Sequence, residues 1–247
     1  MIRINVWSGP RNISTALMYS FAQRPDTRVV DEPLYAHYLA RTPARHYHPD
    51  AEVVLAAQDN DGEAVVERII LGPCDRAVLV CKQMTHHLVD LDLGFLRQTV
   101  NVILTRDPVD MLPSYAQNVA APSLRDVGYA QHMELLNQLQ HLGQDPPILD
   151  SRATLEDPEG VLKQLCRHVG IDFDGRMLSW PAGPRPVDGV WAPHWYANVH
   201  ASTGFAAYRP KMEPFPERLR PLLEACRPFY EQLSARAIRG RGDRHAE

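Results

Sequence analysis

The sequence predicts an α/β fold: a single domain with a mostly parallel β-sheet flanked by helices. Short apolar runs bounded by turn residues alternate with stretches whose apolar positions recur every three or four residues. The chain has 247 residues, of which 45% are hydrophobic, so it is long enough to bury one complete core. Polar residues follow several of the apolar runs, and the carboxyl ends of parallel strands are where such sheets bind ligands. We therefore predict one domain over residues 1–238 and a disordered tail over 239–247.

Each predicted element depends on a local pattern. The strands are short apolar runs at residues 2–7, 28–32, 77–82, 101–106 and 147–152. The helices follow from the three-and-four spacing at residues 14–23, 114–119, 126–142, 157–170 and 217–237. Pro221 and Pro228 should shorten or kink the last of these helices. Residues 181–216 are rich in Pro, Gly, Trp and Tyr and lack periodicity, which is typical of a lid or a binding loop.

Charge and cysteine content exclude several classes of protein. The net charge of -4 gives no general attraction to nucleic acid or to an anionic membrane, so we predict neither as a partner. The four cysteines form no C-x-x-C pair, which favours reduced thiols in the cytoplasm over a disulfide framework or a zinc site. The N-terminus lacks a leader pattern and no window holds 18 consecutive apolar residues, so we expect neither a targeting segment nor a membrane span.

The segment SGPRNIST, residues 8–15, joins the first predicted strand to the first helix. Free amides and the helix dipole at such a joint favour an anion, so we predict a P-loop-like cradle. In the nucleotide P-loop G-x-x-x-x-G-K-[ST], Thr15 would replace the lysine and Ala16 the magnesium-binding hydroxyl. The cradle therefore lacks its metal-binding part, and its cation is Arg11. Alternatively, Ser14 is only a helix N-cap and Arg11 a solvated surface residue.

A second motif, R-D-P-x-D-x-x-x-S, begins at Arg106 and ends at Ser114. Together with P-R-N-I-S-T, it resembles the signature of the sulfotransferases that use 3'-phosphoadenosine 5'-phosphosulfate (PAPS). The alternative is that Arg106 pairs with Asp107 and that Ser114 is an ordinary helix residue. The resemblance implies that Arg106 and Ser114 bind the 3'-phosphate of PAPS and of the product, 3'-phosphoadenosine 5'-phosphate (PAP). It also implies that the 5'-phosphosulfate is bound by the first loop: Arg11, Asn12, Ile13, Ser14 and Thr15.

The resemblance runs from residue 2 to about residue 175, with three departures from the family pattern. Ile13 stands where many members have Gly, so the loop must turn without a free positive φ at that position. Pro113 removes a backbone donor from the expected helix, which should begin later or bend there. The R-K-G loop that covers the 3'-phosphate in cytosolic members is missing.

An aromatic stretch, residues 191–205, followed by Arg209 and Lys211, takes the place of that missing loop. By position we infer a cofactor lid in which Trp191 or Trp195 stacks on adenine. Packing in the hydrophobic core is the competing interpretation.

Sulfuryl transfer requires a base for the acceptor's proton and positive charge near the leaving phosphate. Arg11 and the adjacent amides suit the second task. For the first we expect Glu32, at the end of the second strand, because one large branch of the resembling family uses a Glu there. Asp31 should be exposed or capping, since adjacent strand residues face opposite sides. The alternative is that Glu32 only pairs with Arg11.

His86 and His87 are the rival candidates for the base. Members acting on small molecules carry a Lys shortly before a catalytic His, and by this resemblance Lys82 would contact the leaving oxygen. In those members the His follows the Lys by two residues, where this chain has Met84. An exposed helix start is the alternative interpretation of the two histidines.

We therefore predict a metal-free sulfotransferase that moves a sulfuryl group in line from PAPS to a hydroxyl or amine of a small molecule. The chain leaves little room for a polysaccharide groove, which favours a small acceptor. Two alternatives remain: a non-catalytic or regulatory nucleotide-binding protein of the same fold and, with less support, a P-loop kinase or hydrolase. The oligomeric state is open at this level.

Overall fold

A computed structural model describes residues 1–210 and 212–240 of the chain. Its centre is a five-stranded sheet in the order β2-β3-β1-β4-β5, with every neighbouring pair parallel. The strands are β1 Ile2–Ser8, β2 Thr27–Asp31, β3 Val78–Met84, β4 Val100–Thr105 and β5 Ile148–Asp150. The predicted α/β class and the parallel sheet are confirmed.

Helices cover both faces of this sheet. The α-helices are α1 Ser14–Phe21, α2 Tyr35–Arg41, α3 Ala51–Ala57, α4 Gly62–Val65, α5 Pro108–Tyr115, α6 Leu124–Val127, α7 Tyr129–His141, α8 Ser151–Glu156, α9 Pro158–Val169, α10 Ala192–Trp195, α11 Ala197–His200 and α12 Arg220–Ser234. A π-turn spans Val66–Ile70, and 3-10 turns span Pro43–His46, Thr85–His87, Leu93–Gln98, Gly175–Leu178 and Glu217–Leu219.

Strand β1 shows how the two cores form. Successive side chains of a strand point to opposite faces, so a strand covered on both sides places apolar side chains on each face. Ile4 and Val6 pack on one face with residues of α1 and α9. Trp7 packs on the other face with residues of α7 and α12. Helices on both faces are therefore required to bury the sheet, as the alternation of strands and helices predicts.

Two helix predictions are wrong in detail. The pattern at residues 114–119 overlaps the end of α5, which begins earlier, at Pro108 after the N-cap Asp107, as the preferences of these two residues for a helix start indicate; the expectation that Pro113 delays the start is wrong. The helix predicted at 126–142 is divided into α6 and α7 by Gly128, whose φ is 76°. A β-carbon at Gly128 would lie 3.8 Å from the Cα of Gly9 and 3.5 Å from His86, so this turn is fitted to the loop after β1.

At the C-terminus, α12 begins with Pro221 in its first turn and contains Pro228. The predicted tail at 239–247 falls partly outside the described residues, which end at 240. The carbonyl of Arg239 accepts a hydrogen bond from Gln164. All four cysteines are free thiols. Of the helices described, none combines the length and the apolar character needed to cross a bilayer.

The strand order determines where the functional loops meet. From β1 the chain goes to β2 on one side of the sheet, and from β3 it goes to β4 on the other side, which makes the carboxyl ends of the neighbouring strands β1 and β4 a switch point of the sheet. The loop SGPRNIST follows β1, Glu32 follows β2, His86 follows β3 and Arg106 follows β4. All four positions therefore lie at the same edge of the sheet.

Candidate active site

A cavity of about 430 Å³ opens at this edge of the sheet. Its walls come from the loops after β1, β2, β3 and β4 and from the segment around α10. The predicted site residues that line it are Arg11, Asn12, Ile13, Ser14, Thr15, Glu32, Lys82, His86, His87, Arg106, Ser114 and Trp191.

The loop after β1 turns at Arg11, whose φ of 56° lies in the region that favours glycine. Ile13, where the family pattern often has Gly, has a φ of -85° and is the N-cap of α1 without a side-chain cap. The alternative that Ser14 is merely the N-cap is therefore wrong. Within the described chain, no hydrogen bond is donated by the amides of residues 12–15. These amides are free to bind an anion at the positive end of α1.

Arg106 is tied to this loop. Its Nη1 donates to the carbonyl of Arg11 at 2.6 Å, and Arg11 in turn donates from Nε to Ser114 Oγ at 3.0 Å. Arg11 Nη1 also donates to the carbonyl of Trp195 at 2.7 Å. The predicted alternative of an Arg106–Asp107 ion pair is not found, because Asp107 instead caps α5 by accepting from the amide of Val109. Both motifs therefore meet in one place.

The two guanidinium groups give this end of the cavity a positive charge. Burial and the neighbouring Arg106 lower the pKa of Arg11. Among the described residues, no carboxylate forms a salt bridge with either arginine. Two neighbouring cations without a carboxylate partner among the described residues are an arrangement that suits a multiply charged anion.

Glu32, Lys82 and Tyr196, which also line the cavity, belong to a buried cluster of charged and polar groups centred on Lys82. The Nζ atom of Lys82 donates to Asp31 Oδ1 at 2.8 Å, to Glu32 Oε1 at 2.5 Å and to the hydroxyl of Tyr196 at 2.6 Å. These three bonds use all three protons of the ammonium group. A contact of Lys82 with a leaving oxygen would need one of these bonds to be exchanged.

Asp31 is buried in this cluster, so the expectation that it is exposed or capping is wrong. Strand β2 ends at Asp31, and Glu32 follows with a φ of 39°, outside the extended conformation. The alternation of side chains therefore stops between them, and both carboxylates reach Lys82. The interpretation that Glu32 only pairs with Arg11 is also wrong, because its ion-pair partner is Lys82.

The cluster shifts the pKa values of Glu32 and Lys82. Burial raises the pKa of Glu32, and Asp31 adds to this rise, while Lys82 opposes it. Burial acts to lower the pKa of Lys82, but Asp31 and Glu32 together raise it well above its usual value. A lysine so placed stays protonated, whereas a carboxylate with a raised pKa is a better proton acceptor near neutral pH.

His86 and His87 lie in a 3-10 turn after β3 and are buried, so the interpretation as an exposed helix start is wrong. The ring of His87 stacks between Tyr35 and Tyr38 at centroid distances of 5.0 and 4.7 Å. Burial lowers the pKa of His86 to about 3 and that of His87 well below its usual value. Both imidazoles are therefore neutral at pH 7.

Two tryptophans of the segment around α10 line the cavity in different ways. Trp191 is only 2% exposed, packs edge-on against Tyr35 and donates from Nε1 to the hydroxyl of Tyr196 at 3.0 Å. Trp195 is half-buried, and its ring lies nearly parallel to Tyr115 at 5.9 Å. The ring of Trp195 is therefore the more accessible one. Arg209 is exposed, and Lys211 lies outside the described residues.

The family model for the sulfotransferase domain matches residues 2–237, nearly the whole chain. The chain belongs to the sulfotransferase domain family.

Solved sulfotransferases share the fold of this sulfotransferase domain. The sulfotransferase domain from the curacin biosynthetic pathway superposes with a TM-score of 0.57 at 16% identity, covering 94% of this chain and 97% of that one. The sulfotransferase domain of the Synechococcus PCC 7002 olefin synthase gives 0.54 at 13% identity, covering 91% and 94%. A sulfotransferase from Alicyclobacillus acidocaldarius gives 0.51 at 14% identity, covering 95% of each chain.

Two curated relatives from Arabidopsis thaliana are more similar in sequence. They are named branched-chain-amino-acid aminotransferase-like proteins 2 and 1, and they are 39% and 40% identical over 231 residues. The match covers 93% of this chain but 41% of each relative, so this sulfotransferase domain spans less than half of their length.

The resemblance identified residues of this sulfotransferase domain that now prove to line one cavity, but it missed two of their partners. Tyr196 and Asp31 belong to the Lys82 cluster. The dipeptide Asp31-Glu32 at a strand end was a visible signal for Asp31, whereas Tyr196 lies in a segment without periodicity. Within the described part of the chain, no three side chains of His, Cys, Asp or Glu are grouped to hold a metal ion.

Proposed function

We propose that the protein transfers a sulfuryl group from PAPS to a hydroxyl or amine of a small-molecule acceptor. One observation carries the proposal: free amides of the loop after β1, two guanidinium groups that have no carboxylate partner among the described residues, and a buried carboxylate line the same cavity. Such an arrangement can bind an anion that carries charge at two places, and it can remove a proton from a group bound beside that anion.

The donor end of the cavity fits the charges of PAPS. Arg11, Asn12, Ile13, Ser14 and Thr15 bind the 5'-phosphosulfate through the guanidinium, the amides and the two hydroxyls. The 3'-phosphate is bound by Arg106, which keeps Nε and Nη2 for it while Nη1 holds the loop, and by Ser114. The adenine stacks on Trp195, the accessible ring, with Trp191 supporting the wall behind it.

Bound PAPS supplies a sulfuryl group attached to a good leaving group, PAP. Glu32 accepts the proton of the acceptor as its oxygen or nitrogen bonds to sulfur and the bond from sulfur to the bridging phosphate oxygen breaks. Arg11 and the neighbouring amides stabilise the charge that develops on the departing phosphate. Glu32 is the better base than His86 or His87, because burial raises the pKa of its carboxylate but lowers the pKa of both imidazoles. Lys82 keeps Glu32 in place.

An aminotransferase activity, which the names of the two plant relatives suggest, is not favoured for this chain. A lysine that forms a Schiff base needs an unprotonated amine. The lysine that lines the cavity, Lys82, is bonded to two carboxylates, which raise its pKa well above the usual value. The match also leaves more than half of each relative outside this chain.

Calorimetry with PAP and adenosine 5'-phosphate (AMP), together with transfer of ³⁵S from labelled PAPS to a panel of small alcohols and amines, tests the proposal. We expect Arg106→Ala to weaken PAP binding by about 1.5 to 3 kcal/mol more than AMP binding, because a charged hydrogen bond to the 3'-phosphate is lost. Arg97→Ala, at an exposed arginine on another turn, is the matched control and should change neither. Equal weakening of both ligands would contradict the role of Arg106. Tight PAP binding without transfer to any acceptor would instead favour the nucleotide-binding protein.

A further inference from the structure

Asp31 is a buried carboxylate for which the transfer reaction has no direct use. Asp31 is not among the residues that line the cavity. Its side chain is 1% exposed, and its Oδ1 atom lies 2.8 Å from Lys82 Nζ. Burying a carboxylate costs free energy unless it is fully paired. Lys82 could be neutralised by Glu32 alone, so the second carboxylate calls for an explanation.

We propose that Asp31 is a positioning residue that shares Lys82 with Glu32 and thereby fixes the orientation of Glu32 and its readiness to accept a proton. This inference rests on the proposed function, in which Glu32 is the base. Asp31 touches neither donor nor acceptor and acts through Lys82.

The charges around Glu32 support this role. The groups that face it are Lys82 from β3, Asp31 from β2, Tyr35 from α2 and Tyr196 from the turn between α10 and α11. An ammonium group that bonds to two carboxylates stabilises each of them less than an ammonium group that bonds to a single carboxylate would stabilise that one. Besides burial, which is the largest cause, Asp31 accordingly raises the pKa of Glu32 while Lys82 lowers it.

The far oxygen of Asp31 is held by the segment around α10. Asp31 Oδ2 accepts from the hydroxyl of Tyr196 at 2.7 Å and from the amide of Gly189 at 3.1 Å. With Oδ2 fixed in this way, Oδ1 stays on Lys82. The carbonyl of Trp195, the residue before Tyr196, accepts a hydrogen bond from Arg11 at the donor end of the cavity. The same short segment therefore contacts both the donor loop and the base cluster.

A carbon-13 NMR titration of the full-length protein tests the inference. Glutamate labelled at the side-chain carboxyl carbon reports Glu32 directly, and the Glu32→Gln variant identifies its resonance. We expect Asp31→Asn to lower the titration midpoint of Glu32 by on the order of one pH unit, because a like charge is removed and Lys82 is no longer shared. Asp31→Ser, a smaller uncharged replacement, should give the same shift and serves if the Asn variant does not fold.

Tyr196→Phe is the matched control, because it breaks a hydrogen bond to both Asp31 and Lys82 without removing a carboxylate. Its midpoint should shift less than in the Asp31 variants, because both carboxylates are still present to share Lys82. An unchanged midpoint in both Asp31 variants, or an equal shift in Tyr196→Phe, would overturn the inference. The titration needs neither PAPS nor an acceptor. A failure here therefore leaves PAP binding and sulfuryl transfer intact, whereas a failure of the proposed function appears in those two assays.

Discussion

Arg11 and Glu32 both adopt a positive φ, 56° and 39°, although neither is glycine. Each such conformation costs of order 1–3 kcal/mol and persists only where the surroundings enforce it. Both residues lie just after a strand, β1 and β2, at the edge of the sheet where the cavity opens. The strained turns direct a guanidinium and a carboxylate into one cavity, which is the geometry that the proposed transfer needs.

Glu32→Gln tests the assignment of the base. The amide keeps the size of the side chain but cannot accept the proton, so we expect turnover to fall by about 10²-fold or more while PAP binding stays unchanged. Turnover of the wild-type protein should be present above the raised pKa of Glu32 and be lost as the pH falls through it, because only the ionised form is a base. Steady-state rates across pH, with PAP affinity from calorimetry, provide the measurement.

Glu134→Gln, at an exposed glutamate on α7, is the control and should leave turnover and its pH dependence as in the wild-type protein. Full activity in Glu32→Gln would transfer the role of base to His86 or His87.

Individual residues were predictable where a local motif carries them. Arg106 and Ser114 were named through the resemblance of their motif to the sulfotransferase signature, and both line the cavity. The partners of Asp31 were not predictable, because they depend on the positive φ of Glu32 and on Tyr196, a residue 165 positions away along the chain. The rule that adjacent strand residues face opposite sides wrongly predicted that Asp31 is exposed or capping, because β2 ends at Asp31 and the alternation does not continue to Glu32.

At the scale of elements, α9 has two defined ends. Asp157 accepts a hydrogen bond from the amide of Gly160 at the first turn, and Gly170 ends the helix with a φ of 77°. The side chain of the capping residue satisfies a backbone N–H that the start of the helix leaves unpaired. The glycine adopts the left-handed conformation that ends the helix. These signals are local, and the predicted helix at 157–170 is confirmed at both ends.

Gly170→Ala should destabilise the protein by about 1 kcal/mol, because a side chain disfavours the left-handed conformation. No atom lies within 4 Å of a β-carbon built there, so the expected cost is conformational and not steric. Gly175→Ala is the matched control: its built β-carbon also meets nothing, but no positive φ occurs there. The control should be neutral or stabilising by up to about 1 kcal/mol. Urea midpoints at constant m-value measure both, and equal effects would contradict the argument.

Elements shaped by contacts between distant segments could not be predicted in this way. The break between α6 and α7 falls at Gly128, which packs near Gly9 and His86. A helical pattern runs through residues 126–142, but Gly128 adopts the left-handed conformation that ends α6 and interrupts it. Helix α5 likewise tolerates Pro113, contrary to local propensity.

At the scale of the whole molecule, the order of the strands brings the site together. Because β1 lies between β3 and β4, the loops that follow all three strands open into one cavity. Alternating strands and helices predict a parallel sheet but not this order, which requires long-range pairing such as Ile2 with Val78 and Ile4 with Val100. The cavity is thus a property of the topology, while its chemistry comes from the motifs.

PAP should stabilise the whole fold, since it would bridge loops from several strands. At 100 times its Kd, a ligand that binds only the folded state adds about 2.7 kcal/mol, which corresponds to roughly 5 to 11 °C in the melting temperature of a chain this long. Arginines and backbone amides provide the charge complement in the proposed site, so EDTA should leave this increase unchanged. Differential scanning calorimetry with PAP, with and without EDTA, measures it, and Arg106→Ala should reduce it. An increase that vanishes with EDTA would show that a metal ion takes part in binding and would favour the P-loop kinase or hydrolase.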